Sequence, residues 1–138
     1  MDAFLRLTEK AVELAQSDCP DLEAIHQLGK GWVAEETLAI AVFCALRYPR
    51  DIRKALTASV NHQGDSDSTG AVTGNILGAA LGETAIPRKF LDALELRGVI
   101  REIADDLCRG FTAPGSGEPG DRDWAEKYIT MRYRPEEE

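Results

Sequence analysis

Apolar residues recur three and four positions apart along most of the chain, the spacing of amphipathic helices. Between residues 3 and 16, Phe4, Leu7, Ala11, Leu14 and Ala15 share one face, with Arg6, Glu9, Lys10 and Glu13 mostly elsewhere. Asp2 can cap this helix, and Ser17-Asp18-Cys19-Pro20 ends it. Asp21 can cap a second, short helix with Leu22, Ile25 and Leu28 inward. His26 lies on it without an evident partner and reads as a surface or boundary histidine. Gly29-Lys30-Gly31-Trp32-Val33 breaks the pattern, and two glycines around a lysine permit a tight backbone excursion. Trp32 is then either a core anchor or a wall of a ligand pocket.

Ala34 to Tyr48 is apolar almost all round, which predicts a helix in the middle of a bundle. Glu35 and Glu36 fall in its first turn, where the helix dipole favours negative charge. Pro49 stops this helix and can open the next, which turns Ile52, Ala55, Leu56 and Val60 inward. A further helix is predicted from about Ser68 to Leu81, with Gly70, Gly74, Gly78 and Gly82 at every fourth residue. An interior Gly costs about 1 kcal/mol of helix propensity, so a row of them needs a tertiary reason. A ridge without side chains lets a neighbouring helix come close. Beyond it, Ala85-Ile86-Pro87 starts a helix with Phe90, Leu91 and Leu94 inward, interrupted at Leu96-Arg97-Gly98. Val99, Ile100, Ile103 and Leu107 make another face, with Asp105-Asp106 as a solvated outer pair. Residues 110–120 read as a flexible loop, 121–131 as a last helix with Trp124, Tyr128 and Met131 on one side, and 132–138 as a disordered tail. No strand-like alternation stands out, so the fold class expected is all-α.

Composition narrows the classes. At 138 residues the chain is one domain or part of one, and 43% hydrophobic content suffices for a core. Its net charge of -8 and lack of a basic patch argue against a nucleic-acid partner. The longest uncharged apolar run, Thr37 to Leu46, is too short to span a bilayer, and the N-terminus lacks a signal-peptide layout. Cys19, Cys44 and Cys108 are odd in number and widely spaced, which suits neither a disulfide framework nor zinc. A reducing, cytoplasmic setting is expected.

The chemistry concentrates in Asn61-His62-Gln63-Gly64-Asp65-Ser66-Asp67-Ser68-Thr69-Gly70. Oxygen donors this dense suit a hard cation such as Mg²⁺ or Ca²⁺. One reading is an ordinary helix cap, since Asp and Ser are favoured there. A second, an EF-hand loop, fails because position 12 would be Ile76 where a bidentate Glu is required. A third is half of a Mg²⁺ site, in which Asp65, Asp67 and a hydroxyl converge while other segments supply the rest.

The stretch Leu28-Gly29-Lys30-Gly31-Trp32-Val33-Ala34-Glu35-Glu36-Thr37-Leu38-Ala39-Ile40-Ala41, followed by Asn61 through Ala79 with its Gly-Asp-Ser-Asp-Ser-Thr core, closely resembles the C-terminal part of the ADP-ribosylglycohydrolase family. The likeness runs from about residue 20 to 109 and favours the third reading. It implies a multi-helix orthogonal bundle, with residues 1–109 as the C-terminal part of that helical domain. It also implies a binuclear Mg²⁺ centre, with Mn²⁺ as a substitute, that cleaves ADP-ribose from modified side chains or related conjugates. By resemblance Asp65, Asp67 and Ser68 take the places of metal ligands, with Thr69, one place further on, the lesser candidate. Trp32 falls where the Gly-x-Gly loop lines the ADP-ribose pocket, and His62 matches the lead-in to the acidic loop in a structural role. No catalytic residue is singled out, although Asp65 or Asp67 could also orient the attacking water.

The departure from the family is as informative. Its N-terminal half carries a Gly-Asp-x-x-Gly segment and a Thr/Ser-Asp-Asp motif with the other metal ligands, and neither occurs upstream of this loop. Asp105-Asp106 follows Ala104 and lies downstream, so it is no substitute. The chain therefore looks like the C-terminal half of such an enzyme, needing an N-terminal half from another chain or from self-association. The alternatives are a non-catalytic helical module that binds a partner and a degenerate binder of ADP-ribose. The linkage cleaved is not encoded in these motifs.

Overall fold

The computed structural model describes residues 3–109 and 125–130. Every regular element among them is helical. The chain divides into two compact units, with the boundary between Phe90 and Leu91.

The first unit holds α1 (Ala3–Ala15), α2 (Asp21–Leu28), α3 (Ala34–Arg47), α4 (Ile52–Val60) and α5 (Ser66–Leu81). All four others pack on α3, the position its all-round apolar sequence demands. On one side Ile40, Phe43 and Cys44 meet Ala11, Ala24, Ile25 and Leu28. On another, Ala45 joins Ile52, Ala55 and Leu77. Phe43 is fully buried, and burying a side chain of this kind stabilises the fold by about 1.5–3 kcal/mol.

Polar ties hold the C-terminal end of α3. Arg47 Nη2 donates to the Leu14 carbonyl at 2.5 Å, while its guanidinium stacks 5.0 Å from the Phe43 ring centroid. Asp21 accepts from the Tyr48 hydroxyl at 2.6 Å and lies 3.9 Å from Arg47 Nη1. Asp21 is thus drawn to α3 instead of capping α2, whose N-cap is Pro20 without a side-chain bond. Pro49 also departs from expectation: it falls in the turn after α3 but does not open α4. The Asp51 N–H closes that turn onto the Tyr48 carbonyl at 3.1 Å, and Asp51 Oδ1 then caps α4 by accepting the Lys54 N–H at 3.0 Å.

α5 starts two residues earlier than expected, because Asp65 is its N-cap. Its glycine ridge is tight only at the start. A Cβ on Gly70 would lie 2.6 Å from Val60 Cγ1, one on Gly74 would make ordinary contact with Leu56, and one on Gly78 would meet nothing within 4 Å. The close helix approach expected of the whole row is therefore confined to the end that carries the acidic loop.

A 3₁₀ turn, Glu83–Ala85, leads to α6 (Arg88–Asp92), which runs across the unit boundary. α7 (Arg97–Arg109) belongs to the second unit. The break before it is not at Gly98, which lies inside α7, but at Ala93–Leu96, where Leu96 takes φ 57°. The Leu96 carbonyl accepts the Ile100 N–H at 2.9 Å and so opens the helix. Phe90 and Leu94, expected inward, are exposed, since a five-residue α6 is too short to bury a face. Ile100, Ile103 and Leu107 line up on α7 as predicted but stand largely in solvent.

Asp106 corrects the reading of a solvated pair. It is 9% exposed and accepts from Lys127 Nζ at 2.5 Å and from the Tyr128 hydroxyl, while Lys127 also pairs with Glu102. Those donors lie on a π-helical turn, Ala125–Ile129, far along the chain. The expected loop at 110–120, the ends of the expected last helix (121–124 and 131) and the tail at 132–138 lie outside the described residues. No described helix is long and apolar enough to cross a membrane.

Candidate functional site

The site is built from two loops of the first unit. Gly29 ends α2 with φ 132° and returns its N–H to the Ile25 carbonyl at 3.1 Å; Gly31 follows with φ 78°. Both angles lie where a side chain is strained, which explains the Gly-x-Gly pattern. Glu36, in the first turn of α3, reaches back over this turn. Its Oε2 accepts the N–H of Lys30 and of Gly31, each at 3.0 Å. The Thr37 hydroxyl donates to the Gly31 carbonyl at 2.8 Å.

The second loop, residues 61–65, lies directly on the first. The Lys30 carbonyl accepts the Asp65 N–H at 2.8 Å. The approach is so close that a Cβ on Gly64 would fall 1.8 Å from the Lys30 oxygen. His62 braces the other side. Its Nδ1 accepts the Gly64 N–H at 3.1 Å, so Nε2 carries the proton and donates to Thr69 Oγ1 at 3.0 Å. The Thr69 hydroxyl passes its own proton to the Ser59 carbonyl at 2.6 Å and is fully buried. His62 and Thr69 are thereby engaged inside the fold.

Asp65, Asp67 and Ser68 remain at the N-terminus of α5. Asp65 Oδ1 accepts the Ser68 N–H at 3.4 Å, the long end of a capping bond. The Asp65 carboxyl is held below the usual carboxylate range, first by hydrogen bonding with the Asp67 side chain and next with that of Ser68. Asp67 is exposed, and Asp65 and Ser68 are half-buried, so water and ions have access. The donor set is all oxygen, which fits Mg²⁺ or Mn²⁺. It comprises two carboxylates and a hydroxyl; among the described residues no three His, Cys, Asp or Glu side chains gather as a metal-holding group.

Trp32 is 69% exposed, so it is not a core anchor, and its indole stands free on the Gly29–Val33 loop. A separate groove of about 570 Å³ runs between α2 and α4, lined by Leu22, Ile25, Tyr48, Lys54 and Thr57 and touching the acidic loop only at Asn61. It contains none of the oxygen donors.

The family model described as ADP-ribosylglycohydrolase matches residues 2–117. The chain belongs to the ADP-ribosylglycohydrolase family. No curated protein and no solved structure matches it. The all-α architecture agrees with the family, and the matched span contains both loops of the site. Within this ADP-ribosylglycohydrolase chain, Glu36 keeps the first-turn place that patterning gave it and has a further role that patterning did not show. Its carboxylate binds the Gly29–Gly31 backbone directly, beyond any interaction with the helix dipole. The available signal was its place three residues after the N-cap Val33, from which an acid can reach back over the entering chain.

Proposed function

We propose that this chain provides one half of the binuclear Mg²⁺ centre of an ADP-ribosylglycohydrolase-type hydrolase, with Asp65, Asp67 and Ser68 as its ligands. The observation that carries the reading is the gathering of Asp65, Asp67 and Ser68 within one turn at a braced, solvent-accessible helix N-terminus. Three protein oxygens leave at least half of an octahedral shell to water, substrate and other ligands. The other protein ligands would be of the kind carried by the family's N-terminal half. When bound, the divalent ions supply charge neutralisation at the ribose hydroxyls and lower the pKa of a nearby water. Asp65 and Asp67 act as ionised donors, and the one less used in ligation orients the water toward the anomeric carbon. Trp32 offers an accessible ring face to the ADP-ribose moiety. The free Cys19, Cys44 and Cys108 suit a reducing, cytoplasmic setting.

The test is release of ADP-ribose from ADP-ribosylated protein, with and without Mg²⁺, with Asp67→Asn as control. The purified chain alone is expected to release little. Addition of a family N-terminal half carrying the Thr/Ser-Asp-Asp motif is expected to restore Mg²⁺-dependent release, lost in Asp67→Asn. Full activity of the lone chain as a monomer would refute the half-site, and no release in either case would refute the hydrolase.

A second reading, a non-catalytic partner-binding module, has one observation in its favour. Ile100, Ile103 and Leu107 on α7 stand exposed at the spacing of a helix-pairing stripe. Concentration-dependent association that Ile103→Asp abolishes, without any Mg²⁺ response, would support it.

A further inference from the structure

We propose that Glu36 is a positioning residue for the acidic loop, acting on Asp65 through a single peptide group. The consequence for metal binding rests on the half-site reading above; the mechanical link rests on geometry alone. The Lys30 carbonyl and the Gly31 N–H belong to one planar peptide, and they point in opposite directions. The N–H is held by Glu36 Oε2 at 3.0 Å. The carbonyl oxygen holds the Asp65 N–H at 2.8 Å. Glu36 on α3 and Asp65 at the start of α5 are thus joined by two hydrogen bonds on opposite edges of the same plate.

The link is stiff. A second N–H, that of Lys30, converges on the same Glu36 oxygen at 3.0 Å. Hydrogen bonds to an ionised acceptor are the stronger kind, and one formed at the N–H polarises the carbonyl across the peptide. Gly31 adopts φ 78°, and the Thr37 hydroxyl fixes the next carbonyl at 2.8 Å, so the plate is set on both sides. Rotation of the peptide breaks the bonds to Glu36 and Asp65 together. Glu36 therefore sets the backbone of the residue that caps α5 and places the first oxygen donor.

The rival role is complementing the α3 dipole, and two conservative variants separate the two. Glu36→Gln keeps the reach and one acceptor oxygen but loses the charge. Glu36→Asp keeps the charge in the first turn but is one methylene too short. Amide hydrogen exchange at Asp65 and Mn²⁺ affinity by electron paramagnetic resonance are measured on the full chain. If Glu36 positions the loop, Glu36→Asp loses both N–H bonds, speeds Asp65 exchange and weakens Mn²⁺ binding, each by about tenfold or more. Glu36→Gln then stays within about threefold of the parent, as a neutral acceptor still holds the plate. A dipole role predicts the reverse order. Reversal, or equal behaviour of the two variants, overturns the proposal. A parent chain that binds no Mn²⁺ overturns the half-site reading instead, and Asp65 exchange then decides the role of Glu36 by itself.

Discussion

Gly64→Ala is the sharpest perturbation of the contact between the two loops. The new methyl would lie 1.8 Å from the Lys30 oxygen, 2.6 Å from its carbonyl carbon and 2.9 Å from its Cα. All three atoms are backbone, so no rotamer change relieves the clash. The loops must part by about 1.5 Å to reach ordinary contact distance, which breaks the 2.8 Å hydrogen bond from Asp65 to Lys30. Leaving that N–H unpaired costs about 1–3 kcal/mol, and forcing extra volume into a packed contact costs about as much again. Reduced freedom of the unfolded chain offsets roughly 0.5 kcal/mol. The expected net loss is about 1.5–5.5 kcal/mol, a large share of the stability of a small domain. Urea unfolding followed by far-ultraviolet circular dichroism measures it on the full chain. A loss below about 0.5 kcal/mol, the range of a neutral surface change, would show that the loops are not in contact and remove the basis for the site geometry.

Gly78→Ala makes the opposite change in the same helix: a methyl there meets nothing within 4 Å, so α5 should gain about 1 kcal/mol of stability in the same assay. Thiol titration near pH 8 should find Cys108, which is exposed, reacting at once. Cys44 should stay silent until the chain unfolds, because burial above all pushes its thiol up to about 12. The tie of Asp106 to Lys127 should also respond to pH. Hydrogen bonds from Lys127 and then Tyr128 lower the Asp106 carboxyl from its ordinary 3.8, so its contribution is present above that value and lost as pH falls through the lower folded one. Burial alone would lower Lys127, but its bonds to Asp106 and Glu102 outweigh that and raise it from 10.5, so its contribution is full below that pH and fades only above it. Amide protection of residues 125–130 should therefore persist from about pH 4 to 10 and collapse in acid, and Asp106→Asn should remove it at neutral pH.

Local pattern carried most of the first unit. The amphipathic period of α1 and the all-round apolar α3 state directly which helix must be wrapped and which wraps it. Position effects within a turn were harder to read. Asp21 and Pro49 each have a standard local role available, and each is overridden by a neighbour: Tyr48 and Arg47 for Asp21, the Asp51 cap for Pro49. Glu36 keeps its place in the first turn of α3 and also binds the Gly29–Gly31 backbone. Long-range partners left no local trace. Asp106 looks like any surface acid until Lys127 and Tyr128, 21 and 22 residues later, are placed beside it. The break at Leu96 contains neither Gly nor Pro, and the nearby Gly98 misdirects. At the site, composition and spacing marked the acidic loop, and the resemblance named Asp65, Asp67 and Ser68 in it as the candidate donors. The bracing by His62, Thr69 and Lys30 was not, because it depends on how two loops meet.

The Asp65–Asp67–Ser68 cluster is proposed to receive a divalent cation. Paramagnetic broadening of backbone amide resonances on titrating Mn²⁺ into the full chain tests it most directly. Saturable broadening centred on the amides of residues 64–69, displaced by excess Mg²⁺ and absent in Asp67→Asn, is expected. Broadening centred on the α2–α4 groove, or undiminished in Asp67→Asn, would contradict it.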